Sequence, residues 1–337
     1  MAEFRHWREE NRVPLHEVIP LDTPYNIQIE TSSLCNARCV YCAHSTKTHG
    51  LYEGNMTMEL FEHILHDVKE FPHKVKVFEL FSFGEPLCNP LLPEMISLAR
   101  KSGLCEKINF TTNGLLFTPE KTEKIIAAGV DIIRVSLQGL NSETYKRVCG
   151  INVDFEAFIK NLRYLHEHRG ECKIRMKIAD LALENIEHGM EKLKSIFGDI
   201  ADSIYVEKII PMFQGIDYDA INTQIKENSI NGRENIKQSE MHKVCHRPFY
   251  RFRVAADGKV TAACCDKPND IYFGDINKNS LVDLWNSEAR KAFLKMQLRG
   301  EKDRHPLCKN CVLANDITNE ADLLDPWAEE LLERFVR

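Results

Sequence analysis

Six strand patterns joined by helix patterns fill the stretch from Tyr25 to Ile210, and this alternation limits the fold more than any other feature. The strands read as Tyr25–Glu30, Val75–Ser82, Lys107–Thr111, Asp131–Leu137, Cys172–Ala179 and Ser203–Ile210. Between them, Thr57 caps a helix whose apolar face is Leu60, Phe61, Ile64, Leu65 and Val68. Asn89 caps the next, which stops before Gly103. Thr118-Pro119 is a cap followed by proline at the first helical position, and Gly129 ends that helix. Asp154 caps a helix reaching Gly170, and Glu184–Phe197 is a further one. Such alternation gives an α/β chain with a parallel sheet and right-handed crossovers. Parallel barrels gather their chemistry at the C-terminal strand ends.

The pattern changes after Pro211. Residues 213–244 are polar with little periodicity and read as a linker or a substrate-covering loop. Arg251–Val254 and Lys259–Ala263 flank Asp257-Gly258, a hairpin signal. A helix over Leu281–Leu298, the pair Cys308-Lys-Asn-Cys311 and an amphipathic helix over Glu320–Phe335 complete the chain. The expected divisions are an extension at 1–24, a barrel at 25–212, a linker at 213–244, a small cysteine-bearing domain at 245–316 and a terminal helix at 317–337.

The 337 residues are 43% hydrophobic, enough for a sizeable core, yet no run of about 18 apolar residues could span a bilayer. Met1–Arg12 is charged and lacks an apolar signal region, so the expected setting is cytoplasmic, without a membrane partner. A net charge of −6 gives no general pull toward nucleic acid. Twelve cysteines in clusters suit metal or redox sites better than disulfides.

One cluster is Cys35-Asn-Ala-Arg-Cys39-Val-Tyr-Cys42, just past the first strand. Three thiolates this close can hold three irons of a cubane and leave the fourth iron without a protein ligand. An open iron suits binding and reaction, as an open zinc position does. A zinc knot or three unrelated buried thiols is the plainer alternative.

This spacing, with Tyr41 before the last cysteine, resembles the radical S-adenosylmethionine superfamily. The resemblance implies a partial (β/α)6 TIM-like barrel and a 4Fe–4S cluster whose open iron is chelated by S-adenosylmethionine. Reduction then cleaves that cofactor to methionine and a 5′-deoxyadenosyl radical. Phe83-Gly84-Glu85-Pro86 is similar to the family's glycine-glutamate segment, which implies that Gly84 and the Glu85 carboxylate meet the methionine ammonium. Thr111-Thr112-Asn113-Gly114 and Ser136-Leu137-Gln138-Gly139 resemble segments around the cofactor, with Asn113 and Ser136 as contacts. Gln138 departs from the aspartate usual in this subgroup. Ordinary turn chemistry would also explain these residues.

On the fifth strand Arg175 and Lys177 share one face, either inside the barrel as carboxylate ligands of the cofactor or toward solvent. Arg147, in a loop after the fourth strand, is another carboxylate ligand by the same reading. Glu207, with Tyr205 on the sixth strand, is a candidate for substrate contact or proton transfer. Cys149 reads as a rim cysteine able to return a hydrogen atom, or as a small buried hydrophobe.

The second cysteine set, Cys245, Cys264-Cys265, Cys308 and Cys311, resembles a twitch or shortened SPASM module. The resemblance implies one auxiliary 4Fe–4S cluster on Cys245, Cys264, Cys308 and Cys311, with Cys265 as the alternative to Cys264. A four-cysteine zinc ribbon has similar pairing. The layout resembles the superfamily's amino-cyclitol dehydrogenases. That implies a radical oxidoreductase for a sugar, cyclitol or sugar-nucleotide, with flavodoxin or ferredoxin as electron donor. The rival readings are a peptide maturase or epimerase and a non-catalytic iron–sulfur or zinc protein. About 24 residues before the first strand are too few for a peptide-binding domain.

Overall fold

A computed structural model describes residues 2–4, 12–46, 52–209, 213, 215–222, 242–263, 271–309, 311 and 319–335. Its strands are β1 Glu3–Phe4, β2 Asn26–Ile29, β3 Val75–Glu79, β4 Cys105–Thr112, β5 Ile132–Leu137, β6 Lys173–Ala179, β7 Ser203–Glu207, β8 Arg251–Val254, β9 Lys259–Thr261 and β10 Tyr272–Asp275. They join one sheet in the order β1-β7-β6-β5-β4-β3-β2-β8-β9-β10. β2 to β7 are parallel neighbours in chain order and correspond to the six strands expected. The sheet is not closed, so the core is a partial barrel.

Both edges are extended by segments read as lying outside the barrel. β1 adds in parallel to β7. β8 adds in parallel to β2, and the antiparallel hairpin to β9 and then β10 follows it. Gly258, at φ +88°, makes the hairpin turn, where a side chain would be strained and would press on Asn277.

The helices are α1 Leu15–Val18, α2 Met58–Val68, α3 Leu92–Ser102, α4 Pro119–Ala127, α5 Ser142–Cys149, α6 Phe155–Glu167, α7 Gly189–Phe197, α8 Tyr218–Asn222, α9 Arg247–Tyr250, α10 Leu281–Trp285, α11 Glu288–Leu298, α12 Pro306–Lys309 and α13 Ala328–Arg334. Thr57, Thr118 and Asp154 accept the expected capping bonds from Leu60, Lys121 and Ala157. Several boundaries differ from expectation. Asn89 is not the cap of α3: its amide donates to the carbonyls of Thr31 (2.7 Å) and Met56 (3.0 Å) and so ties the β2 exit to the next turn. Glu184–Phe197 shortens to α7, because Asn185 and His188 adopt left-handed backbone at φ 57° and 54°. Leu281–Leu298 breaks in two, since the Ser287 hydroxyl accepts from Arg290 N and starts a new helix. The terminal helix is only α13, preceded by two short 3-10 turns.

Period-two burial orients the barrel wall. Ile133, Val135, Ile174, Met176 and Ile178 have no exposed surface, and a side chain at Gly114 would meet Val135 together with Leu162 and Phe158 of α6. The apolar side thus packs on the helices. The alternate residues Arg134, Ser136, Arg175 and Lys177 are partly exposed and line the inner face.

The two ends of the described chain are not loose additions. Leu15 and Ile19 pack with Val244, Phe249, Leu294, Leu298, Leu324 and Leu331 in a second apolar cluster. Arg334 donates to the carbonyls of His16 and Ile19, and Arg12 pairs with Asp322 at 2.6 Å. Trp285 Nε1 donates to Leu21 O (2.8 Å), and Asp67 of α2 accepts from Leu281 N (2.8 Å) at the start of α10.

Candidate functional site

The cysteine loop leaves β2 and crosses the C-terminal strand ends. A side chain at Gly84 would meet Ser32 O at 2.2 Å and Ser33 Cα at 2.6 Å, so only glycine lets the β3 exit lie against the start of the loop. Glu85 N donates to Leu34 O (2.7 Å). The loop is braced further along: Asn113 Nδ2 donates to Asn36 Oδ1 (2.7 Å), and the Tyr41 hydroxyl donates to Gln138 Oε1. Arg38 N and Val40 N donate to Cys149 O (3.0 Å) and Val148 O (2.9 Å) of α5. Tyr218 of α8 donates its hydroxyl to Tyr41 O at 3.0 Å.

Glu85 is buried, and its carboxylate is bonded within the chain. Oε1 accepts from Leu87 N (3.0 Å) and Thr112 Oγ1 (2.6 Å), and Oε2 accepts from Asn113 N (2.7 Å). The carboxylate therefore holds the β3 and β4 exits together. Burial raises its pKa, and the three donors oppose that rise.

Arg147 and Cys149 do not lie in a loop. They belong to α5, capped by Asn141 and ended by left-handed Gly150. Arg147 donates Nη2 to Leu181 O (3.1 Å), and its Nη1 lies 3.5 Å from Glu184 Oε2. Cys149 has no exposed surface, and its Sγ lies 3.6 Å from Cys39 Sγ. It stands against the cysteine loop and is not at a solvent-facing rim. Lys177 and Glu207 meet across the lumen side of β6 and β7 at 2.5 Å, and Ser136 registers with Lys177.

The seven barrel cysteines, Cys88, Cys105 and Cys172 among them, are free thiols. Burial lifts Cys35 to about 12 and Cys42 to about 11, and the Cys149 contact followed by burial holds Cys39 well above its ordinary value. Thiols this buried ionise only beside a cation. Three of them on one loop form a donor set that iron fits.

In the second set, Cys245 N donates to Gln297 Oε1 (3.3 Å) and Gln297 Nε2 approaches Cys308 Sγ (3.6 Å). Cys311 N donates to Cys308 O (3.2 Å). Gln297 of α11 thus joins cysteines far apart in the chain. Cys264 and Cys265 lie outside the described residues.

Sequence reasoning missed Gln297, Asn36, Tyr218 and Arg134. Arg134 had a readable signal, since it alternates with Ile133 and Val135 as Arg175 does with Ile174 and Met176. The others are defined by partners distant in sequence.

Residues 29–180 match the Radical SAM superfamily model, and residues 245–312 match SPASM, an iron-sulfur cluster-binding domain. The chain is 24% identical to the tungsten-containing aldehyde ferredoxin oxidoreductase cofactor-modifying protein of Pyrococcus furiosus, over 90% of this chain and 92% of that one. It is 28% identical to the AdoMet-dependent heme synthase of Methanosarcina barkeri, over 60% of this chain and 55% of that protein. The structure of BtrN with AdoMet and 2-DOIA matches with a TM-score of 0.54 at 17% identity, over 85% of this chain and 92% of that one. SuiB of Streptococcus suis with S-adenosylmethionine matches at 0.62 and 16% identity, over 91% and 77%. These structural likenesses show a shared fold. The two matched domains imply S-adenosylmethionine and 4Fe–4S clusters, one in the barrel and auxiliary binding in the C-terminal region. The chain thus carries a Radical SAM domain over residues 29–180, within its partial barrel, and a SPASM iron-sulfur cluster-binding domain over residues 245–312.

Proposed function

We propose that this enzyme oxidises a C–H bond of a small polar substrate, a sugar, cyclitol or sugar-nucleotide, by two electrons. The observation that carries the reading is a polar barrel lumen beneath the cysteine loop, joined through β8 to a second cysteine set. Cys35, Cys39 and Cys42 would hold the cofactor-binding cluster. Cys245, Cys308 and Cys311, with Cys264 or Cys265, would hold one auxiliary cluster. When bound, these groups supply a 5′-deoxyadenosyl radical and an acceptor for one electron.

The residues of the chain do the rest. Gly84 lets backbone approach the methionine end of the cofactor, and Asn113 and Ser136 offer polar contacts at the strand ends. Tyr41 and Glu85 keep that rim in place by the bonds described above. An alcohol oxidised to a ketone releases a hydrogen atom, an electron and a proton. Glu207, paired with Lys177 on the inner face, would take the proton. The enclosed wall orients the substrate and excludes water. A flavodoxin or ferredoxin would deliver the reducing electron to the first cluster.

The test is anaerobic reconstitution and reduction, followed by assay of 5′-deoxyadenosine. Candidate deuterated sugars and cyclitols should pass deuterium into that product. Wild-type protein with full iron loading that forms no 5′-deoxyadenosine would overturn the reading. A second reading, peptide modification, is supported by the likeness to SuiB, which is also solved with its precursor peptide SuiA. Deuterium transfer from a labelled peptide, and from none of the polyols, would replace the first reading with the second.

A further inference from the structure

We propose that Cys149 is a resolving thiol for Cys39: when peroxide strips iron from the cysteine loop and oxidises Cys39, the two sulfurs join in a reversible disulfide. The disulfide keeps Cys39 from irreversible oxidation. This rests on the reading above only for Cys39 as a cluster ligand. The two sulfurs lie 3.6 Å apart. Cys39 is half-buried, whereas Cys149 has no exposed surface. A small oxidant therefore meets Cys39 first, with the second thiol in contact behind it.

The backbone holds this pair together. Arg38 N and Val40 N, on either side of Cys39, donate to Cys149 O (3.0 Å) and Val148 O (2.9 Å). Cys149 is the last residue of α5, and Gly150 in left-handed backbone ends the helix there. α5 is itself anchored, since Tyr145 and Val148 have no exposed surface. A disulfide bond is about 2 Å long and joins Cα atoms about 5.5 Å apart. Two backbones already bonded side by side therefore need a sulfur shift of only about 1.5 Å. Cys105 and Cys172 lie at the N-terminal ends of β4 and β6, away from the cysteine loop. Cys35 and Cys42, on the same loop as Cys39, are the rival partners.

The step balances with hydrogen peroxide as oxidant. The freed Cys39 sulfur attacks one peroxide oxygen, so an S–O bond forms, the O–O bond breaks and water leaves with the thiol proton. The Cys149 sulfur then displaces the hydroxyl from Cys39. The S–S bond forms, and a second water leaves with the Cys149 proton. Two thiols lose two electrons and two protons, and peroxide gains both. A sulfenic acid without a partner goes on to sulfinic acid, which is irreversible, whereas a disulfide returns to thiols by exchange with a dithiol. Burial slows the first attack, and a partner already in contact speeds the second, so the sulfenic acid does not accumulate.

The experiment treats the reconstituted full-length protein with hydrogen peroxide, follows iron release and maps crosslinks by mass spectrometry of non-reduced peptides. Cys39–Cys149 should be the main crosslink of Cys39 and should disappear with dithiothreitol. Reduction followed by fresh iron and sulfide should then restore wild type. After the same treatment Cys149→Ala and Cys149→Ser should carry Cys39 as sulfinic acid. Their recovered 5′-deoxyadenosine formation, each against its own untreated sample, should fall about fivefold or more below that of wild type. Cys172→Ala, at the opposite end of the barrel, should recover like wild type. If the Cys149 variants fail to fold, the wild-type crosslink map still decides. Cys39 joined mainly to Cys35 or Cys42, or found as sulfinic acid in wild type as in the variants, overturns the proposal. So does equal recovery by wild type and Cys149→Ala. A loaded enzyme that cleaves S-adenosylmethionine yet forms no Cys39–Cys149 crosslink sinks the proposal and keeps the radical reading. A crosslink in protein that takes up iron but never cleaves S-adenosylmethionine does the reverse.

Discussion

The two cysteine sets are built in opposite ways. Cys35, Cys39 and Cys42 come from one continuous loop, which is braced sideways against three structural neighbours through Asn113, Gln138 and α5. Cys245 and Cys308 come from distant parts of the chain and are joined through Gln297. In the proposed site, a loop that brings its own three ligands would leave one iron for a cofactor, and the bracing would hold that loop in place over the strand ends. A closed site needs ligands from several directions, which only tertiary folding brings together.

This contrast can be broken experimentally, and the largest effect belongs to the first set. Cys39→Ala should reduce 5′-deoxyadenosine formation by about a thousandfold or more, measured by chromatography on reconstituted protein. Cys308→Ala should leave cofactor cleavage in place while iron falls from about eight to about four per chain. Loss of cleavage in both variants would erase the distinction between the sets.

Smaller effects test the bracing. Tyr41→Phe removes the donor to Gln138 Oε1, which should cost about 1–2 kcal/mol of stability in chemical denaturation. Gln297→Leu should lower iron retention in the second set without changing the first. The smallest effect concerns Glu30, which joins the barrel to the hairpin by accepting from Phe83 N and Ala256 N. Burial raises its pKa above 4.5, with Arg253 opposing the rise. A raised carboxyl contributes stability that is fully present below the unfolded value and is lost as pH rises through the folded value. Glu30→Gln should therefore flatten the fall in melting temperature as pH rises above the ordinary carboxylate range.

Much of this molecule is legible residue by residue. The six strands, the caps at Thr57, Thr118 and Asp154, and the Cys35–Cys42 spacing are local patterns and were read correctly. α5 escaped although Asn141, Glu143 and Gly150 are ordinary start, first-turn and stop residues. Reading that segment as a loop misplaced both Arg147 and Cys149. Asn89 misled for another reason: its side chain found two carbonyls from distant turns before it could cap a helix.

By itself the sequence determined the strand–helix alternation, the face each strand residue shares and the presence of two cysteine sets, because each depends on neighbours within a few positions. The tertiary structure alone decided which face looks inward, that β8 continues the barrel sheet, and that Glu79 is shared by Arg134 and Arg251. Those outcomes depend on closure over 172 residues between Glu79 and Arg251 and over still more between β2 and β8, where burial and charge compensation choose among pairings that local pattern leaves equal.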